Sequence, residues 1–417
     1  MNFEPAIPET KVLAIASHVG FRISLIDLAD QYGLRWCMGE SNNLNTLDCL
    51  EAGSDLTVKD TFSALLSSTQ LICNFFEPTE AYAGNHTGYC QVRGTKASAQ
   101  EIRDIYDGLC QSYLTDFDML LSGYSPNAET VQAVGVIARD LRFRSTNKPG
   151  SFFWVLDPVM GDQGRLYVNE DVVPAYKSIL READLILPNQ FEAEYIYLPP
   201  PISLLPSQSL TCSMKSRTLS GIPIHSLPSL ATAISTLHTT YLIPHIIVTS
   251  IRLTPSNPTL SIIGSTFRPS NHTPRLFKVD VPALPCFFSG TGDMFAALMV
   301  VRLREACLEA GVTDRKSWVS EDDVAATELP LAKATEKVLA SMQMVLEKTM
   351  QARDRELAGL TEGGKGMSSS SGVEVGDDGE GNRRYLAETK AAEVRVVRNV
   401  RDLWCPEERY KACELQV

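Results

Sequence analysis

Short, wholly apolar runs alternate along the middle of the chain with stretches in which apolar residues recur every three or four positions. Residues 11–17 (KVLAIAS), 118–124 (DMLLSGY), 152–158 (FFWVLDP), 183–189 (ADLILPN) and 245–250 (HIIVTS) are of strand length and bounded by polar or turn-forming residues. They read as buried strands. Between them Val131, Val134, Ile137 and Leu141 mark one helix, and residues 229–237 another. A third helix follows Gly292 and is closed by Gly311. Residues 333–355 form a strong helix with Val338, Met342 and Val345 on one face. This alternation predicts an α/β fold, a doubly wound, mostly parallel sheet flanked by helices. Ligands of such sheets bind beyond the carboxyl ends of the strands. Asp157, Asn189 and Thr249, which end three of the runs, therefore stand where chemistry takes place.

The rhythm breaks in four places. Residues 20–83 show weak periodicity, and residues 195–218 (YIYLPPPISLLPSQSLTCSMKSRT) are Pro/Ser-rich. Residues 359–382 are Gly, Ser and acidic side chains with too little apolar area to offset their ordering entropy, which predicts a disordered loop. Residues 391–400 (AAEVRVVRNV) alternate and read as a final strand. The expected organisation is one catalytic domain over 1–358, the low-complexity loop over 359–382, and a C-terminal strand and tail over 383–417 completing the domain.

Composition narrows the function. The 417 residues are 44% hydrophobic and carry a net charge of −12. Such a surface repels phosphate backbones and anionic lipid, so the expectation is no nucleic-acid and no membrane partner. The ten cysteines form no Cys-x-x-Cys pair and no zinc spacing. The N-terminal residues lack a basic stretch followed by an apolar one, which points to the cytoplasm, with the nucleus also open.

Three constellations carry chemistry. In Gly290-Thr291-Gly292-Asp293 two glycines flank a threonine, and a carboxylate begins an apolar helix. The glycines admit a phosphate to the backbone, and the first-turn N–H groups and helix dipole attract its charge. Asp293 is placed to take a proton from an attacking hydroxyl, and the dipole is expected to keep it ionised. No Gly-Lys-Ser/Thr follows, so this is not a Walker A loop. Asp157 and Asp162 flank a Pro/Gly turn and suit Mg²⁺ held together with substrate phosphates. Asn189 and Glu192 suit a phosphate contact and a metal-bound water. Their Asn-x-x-Glu spacing equally fits a helix capping box. Each element alone also has a plain reading as a turn or a cap.

Taken in order, DPVMGD, PNQFEAE, IIVTS and SGTGDMFAA, with ASHV (16–19), NHTGY (85–89) and LLSGY (120–124), resemble the hallmark segments of the pyridoxal kinase family, with a fungal-like member as the nearest type. The resemblance implies a ribokinase-like fold and transfer of the γ-phosphoryl of ATP to the 5′-hydroxymethyl of pyridoxal, pyridoxine or pyridoxamine. By this resemblance Asp293 is the catalytic base and Gly290, Thr291 and Gly292 form the anion hole. Asp157, Asp162 and Glu192 lie around the metal, with Tyr167 nearby. Asn189, Glu192, Thr249 and Ser250 face ATP. Ser17 and Thr87 contact the pyridine ring, and Tyr124 covers the site. His86 is the weaker base, since it is not at a phosphate-binding helix terminus. The implied cofactors are ATP, Mg²⁺ and K⁺, and the implied assembly is a homodimer acting on a small B6 vitamer.

The chain also departs from this pattern. Residues 20–83 carry none of the Gly-Tyr-Val-Gly-Asn segment, helix and strand that normally lead into Asn-His-Thr-Gly-Tyr. Residues 195–218 separate pieces that the family joins directly. Leu187 stands where a threonine is usual, which weakens a cation contact. Two alternative functions follow: a hydroxymethylpyrimidine kinase of the same fold, against which the Asn-His-Thr-Gly-Tyr segment speaks, and a nucleotide-binding pseudokinase impaired in its N-terminal third. Because family-like sequence resumes in register on both sides, residues 20–83 and 195–218 read as intron-derived. Sequencing the spliced transcript checks this: the mature message is expected to lack both segments, and a message encoding both refutes it.

Overall fold

Strand residues that alternate between two apolar layers set the architecture. In the computed structural model, residues 11–17, 76–84, 94–162, 165–166, 168–197, 224–252, 258–363 and 378–415 are described. The N-terminal part holds β1 (Val12–Ser17), β2 (Phe76–Gly84), β3 (Gly94–Lys96), α1 (Ala99–Gln111), β4 (Met119–Ser122), α2 (Ala128–Arg144) and β5 (Phe153–Leu156). The short hairpin β6 (Gly161–Asp162) and β7 (Arg165–Leu166) follows, then α3 (Val172–Ile179), β8 (Leu185–Ile186), α4 (Gln190–Tyr197), α5 (Leu227–Thr240) and β9 (His245–Ile251). The C-terminal part holds β10 (Thr259–Phe267), β11 (Pro274–Pro282), α6 (Thr291–Glu309), α7 (Pro330–Gly363), α8 (Asp378–Ala391), α9 (Val400–Trp404) and β12 (Cys413–Glu414).

The main sheet has ten strands in the order β12-β11-β10-β9-β8-β5-β4-β1-β2-β3. From β9 to β2 neighbouring strands run parallel. β3 and the β10–β12 end are antiparallel. Leu13, Ile15, Leu120, Trp154 and Leu156 point into a layer with α1, α2, α3 and α5. Val12, Ala14, Met119, Leu121, Phe153 and Val155 point into the opposite layer with α6 and α7. This is the expected doubly wound α/β arrangement, with one apolar layer on each face. Asp184 ties the layers together. Its carboxylate accepts from Trp154 N at 2.7 Å, from the Arg142 guanidinium at 2.6 Å and from Ser317 Oγ at 2.6 Å. His238 and His245 are buried and hydrogen-bonded, and burial lowers each to about 4, so both stay neutral near pH 7. Among the described residues no helix is long and apolar enough to cross a membrane.

The structure corrects several expectations. The strand read into 391–400 is absent. The segment ends α8, forms a 3₁₀ turn over Val397–Asn399 and enters α9. Its half-buried valines lie with α7 rather than in the sheet, as the Arg395 N–H donating to Thr349 Oγ1 at 3.2 Å shows. The sheet edge is taken instead by β12, where Phe277 pairs with Glu414 and Lys278 with Cys413. The low-complexity segment is helical at both ends: residues 359–363 continue α7 and 378–382 begin α8. Helix propagation from a formed turn outweighs weak local composition there; residues 364–377 lie outside the described set. The stretch 20–83 is not featureless to its end, because Phe76–Gly84 is a strand that pairs in parallel with β1.

The second interruption leaves the core intact. Ile224 is buried, its N–H donates to Glu194 Oε1 at 3.1 Å, and its carbonyl accepts from Gln190 Nε2 at 3.0 Å. The chain therefore re-enters the fold beside the helix it left. Closing a shorter loop between the same ends gains entropy only logarithmically. Deleting residues 198–218 is expected to leave the folded protein within about 1 kcal/mol of the parent. Urea denaturation of both chains measures this, and a loss of several kcal/mol would show that the segment packs on the core.

Candidate active site

The strand ends form one continuous rim. Gly123 N donates to Ile15 O at 2.9 Å, Asp157 N to Ser122 O at 2.8 Å, Leu187 N to Leu156 O at 3.0 Å and Thr249 N to Pro188 O at 3.0 Å. The main-chain register thus sets Ser17, Tyr124, Asp157, Asn189 and Thr249 side by side along the carboxyl edge. An isolated parallel bridge pairs Asn189 with Thr249 directly.

A hydrogen-bonded brace holds the turn after β5. Glu192 Oε2 accepts from Asn189 N at 2.9 Å, and Asn189 Oδ1 accepts from Glu192 N at 2.9 Å, which is the reciprocal capping pair. Glu192 Oε1 also accepts from Met160 N at 2.8 Å and Gly161 N at 3.4 Å, and Asn189 Nδ2 donates to Gly161 O at 2.8 Å. The cap of α4 and the clamp on the 157–162 turn are therefore one structure. A Cβ on Gly161 would lie 2.1 Å from Arg165 O and 2.7 Å from the Phe191 ring, so only glycine fits beneath the brace. At β9 the pairing with β10 slips between Ser261 and Ile263. Thr249 and Ser250 bulge out, and Ser250 takes a left-handed φ of 56°. Such bulges re-aim side chains next to sites.

Opposite this rim lies the start of α6. Gly290 caps the helix with a φ of 78° and no side-chain hydrogen bond. The first-turn N–H groups therefore lack a capping side chain, unlike those of α2, where Asn127 Oδ1 accepts from Thr130 N at 2.9 Å. Space in front of Gly290 and Gly292 is open, since a Cβ on either would meet nothing within 4 Å. An uncapped helix N-terminus facing open space is suited to an anion.

Electrostatics joins the two sides. Burial, then the charges of Glu192 and Asp293, holds the Asp157 carboxyl well above its usual range. Burial pushes Glu192 up to about 7 despite its N–H donors, and the charge of Asp162 adds to the rise. Burial raises Asp293 to about 6. The dipole expected to keep Asp293 fully ionised is thus outweighed by desolvation. Among the described residues the carboxylates of Asp157 and Asp293 have no hydrogen-bond donor and no cation within ion-pair distance. No three His, Cys, Asp or Glu side chains close into a ready-made metal cage there either. This donor set fits Mg²⁺, which keeps most of its waters and takes one or two carboxylates together with phosphates. It does not fit a metal enclosed by protein alone.

Ser17 ends β1 on the same rim. Thr87, His86 and Tyr167 lie outside the described residues. Tyr124 follows β4 on the rim, close enough to Tyr176 for its charge to raise that phenol. Sequence reading passed over Tyr176 and Ser125. Tyr176 is fully buried on α3, and its hydroxyl donates to Gly123 O at 3.2 Å. Its signal was a tyrosine on the apolar face of a short helix, which a pattern alone assigns to the core. The main-chain N–H groups of Met160 and Gly161 leave no trace in a residue-type search.

No family model matches the chain. It is 33% identical over 266 residues to a putative pyridoxal kinase of Schizosaccharomyces pombe, a match covering 64% of this chain and 72% of that protein. It is 28% identical over 225 residues to the pyridoxal kinase of Homo sapiens, covering 52% and 64%. Among solved structures, pyridoxal kinase from Leishmania donovani in complex with ADP and pyridoxamine superposes with a TM-score of 0.62 at 20% identity, over 98% of this chain and all of that one. Pyridoxal kinase from Trypanosoma brucei gives a TM-score of 0.58 at 18% identity, over 98% of this chain and all of that one.

Carboxylates raised by burial destabilise the ionised fold. Their stabilising contribution is complete below the unfolded pKa and is lost as pH rises through the folded one. Asp157→Asn is therefore expected to raise the unfolding free energy at pH 7.5, with the difference closing toward pH 4. Denaturant titrations at both pH values measure it, and an Asp157→Asn chain less stable than the parent at pH 7.5 would overturn the crowding account.

Proposed function

Because the chain belongs to the pyridoxal kinase family, we propose that it transfers the γ-phosphoryl group of ATP to the 5′-hydroxymethyl of a B6 vitamer at the carboxyl edge of its sheet. The observation that carries this reading is the uncapped start of α6, open in front of Gly290 and Gly292, with Asp293 in its first turn near enough to Asp157 for its charge to raise that carboxyl. A triphosphate entering there meets the first-turn N–H groups of α6 on one side and the β5 and β8 strand ends on the other.

In the proposed reaction Asp293 accepts the hydroxymethyl proton as that oxygen attacks the γ-phosphorus. The new P–O bond forms as the bond to the β-phosphate oxygen breaks, and ADP leaves with its negative charge. The N–H groups of the turn formed by Gly290, Thr291 and Gly292 receive the charge on the transferring oxygens, already aligned before the reaction begins. Asn189 and Glu192 act through the brace. The Glu192 carboxylate is occupied by three N–H donors, so it reaches a metal through water. Thr249 and Ser250 turn toward the nucleotide at the bulge. Ser17, Thr87 and Tyr124 hold the vitamer.

Asp157, Asp162 and, through water, Glu192 would hold Mg²⁺, which would neutralise charge on the β- and γ-phosphates. Leu187 is buried and offers no oxygen, so a K⁺ site of the implied kind does not fit at that side chain, and no step depends on it. The homodimer and the cytoplasmic location with the nucleus also open are parts of the same proposal. Sedimentation velocity reports on the assembly.

Two measurements test the function. ATP consumption by the purified chain is expected with pyridoxal and not with hydroxymethylpyrimidine; ATP binding without turnover on either would mark a pseudokinase. Asp293→Asn is expected to lower kcat by roughly 10²–10⁴-fold while ATP affinity stays within a few-fold. Since the base form of Asp293 fills as pH rises through about 6, kcat/KM for pyridoxal should climb across that value and lose this limb in the Asn variant.

A further inference from the structure

Tyr176 sits beneath the rim with its hydroxyl in the one place where three site elements meet. It is 1% exposed. Its O–H donates to the carbonyl of Gly123, the first residue beyond β4, at 3.2 Å. The buried Ser125 side chain lies beside the same phenol. The charges of Asp157, Glu192 and Tyr124 all bear on it. Tyr124 thus lies between Gly123, which this buried hydroxyl holds, and Ser125, which lies beside it.

Two further features bear on this turn. Gly123 N is fixed to Ile15 O at 2.9 Å on its strand side. Beyond Ser125 the chain passes Pro126, which has no N–H to give, and then Asn127, whose side chain is committed to Thr130. Without the phenol, the Gly123 carbonyl would lose this donor, and the turn would relax to find another.

We propose that Tyr176 is a positioning residue: it fixes the 123–125 turn and so sets Tyr124 over the vitamer. The inference rests on the covering role of Tyr124 described above and goes beyond it, since Tyr176 touches neither substrate nor nucleotide.

Pyridoxal affinity, read by calorimetry in the presence of a non-hydrolysable ATP analogue, tests this independently of turnover; KM values for pyridoxal and ATP accompany it. Tyr176→Phe is expected to weaken pyridoxal binding about 5–10-fold, the cost of one buried hydrogen bond, with the KM for ATP within about twofold. In a Tyr124→Ala background Tyr176→Phe should add less than about twofold, because the two act as one unit. Ser125→Ala should shift pyridoxal affinity in the same direction, and it carries the test if Tyr176→Phe fails to fold. Equal losses for pyridoxal and ATP, or full additivity with Tyr124→Ala, would overturn the inference. If Tyr124→Ala alone leaves pyridoxal binding unchanged, its covering role is wrong and the inference falls with it. If Tyr124→Ala has its effect and Tyr176→Phe has none, only the inference falls. A parent chain that binds pyridoxal without phosphorylating it would refute the kinase reading and leave the positioning role standing.

Discussion

Crowded carboxylates at the carboxyl edge of the sheet are the constraint on which the site depends. Asp157 feels both Glu192 and Asp293, and Glu192 feels Asp162. Desolvation raises all three carboxyls, Asp157, Glu192 and Asp293, and the first two also carry like-charge repulsion. A fold that bears such a cost without a cation gains free energy when a hydrated Mg²⁺ and a triphosphate arrive together. Desolvation alone keeps Asp293 near the range in which a carboxylate both ionises at neutral pH and accepts a proton readily. Binding and proton transfer thus draw on one electrostatic arrangement.

What holds the carboxylates in place is main chain more than side chain. The rim is a ladder of backbone bonds from Ile15 to Thr249, so its spacing follows from strand register. The 157–162 turn is held by Glu192 and Asn189, which cap α4 in the same set of bonds. Capping and function are not competing explanations of the Asn-x-x-Glu spacing here. The cap places a carboxylate beside the turn, and the turn's N–H groups use it. A Glu192→Gln change would keep the shape and put an amide donor against N–H donors, so the brace rather than a metal ligand would be lost first.

The α/β alternation and the strand ends were legible because buried parallel strands read as continuous apolar runs, and because Asp157, Asn189 and Thr249 interrupt those runs at their ends. The β10–β11 hairpin and β12 were not read. β11 did carry a signal, since Phe277, Val279 and Val281 alternate with Lys278 and Asp280 and are buried, whereas β12 is only two residues long and exposed. The valines of 391–400 misled in the opposite sense: their alternation suits a strand, yet the edge they would join is occupied, and pairing partners are a tertiary fact. The low-complexity limits failed for a related reason, since α7 and α8 extend into sequence whose composition alone would not form helix. Tyr176 was illegible because a buried tyrosine on an amphipathic helix looks the same whether its hydroxyl holds a loop or only finds a carbonyl.

The two halves of the site differ in what determines them. The phosphate side is built from β5, β8, β9 and the start of α6, whose positions follow from register, a brace and an uncapped helix end. Departures such as Leu187 or the interruption after α4 leave those bonds in place, as Ile224 returning to Gln190 and Glu194 shows. On the proposed vitamer side Ser17 ends β1 and Tyr124 lies just beyond β4, while Thr87 is outside the described residues. Selectivity among small alcohols must come from this second half, because any triphosphate satisfies the first. Within it the described residues offer one turn fixed from below by a buried hydroxyl. A change at Tyr176 would therefore alter which alcohol is held without altering how phosphate is bound.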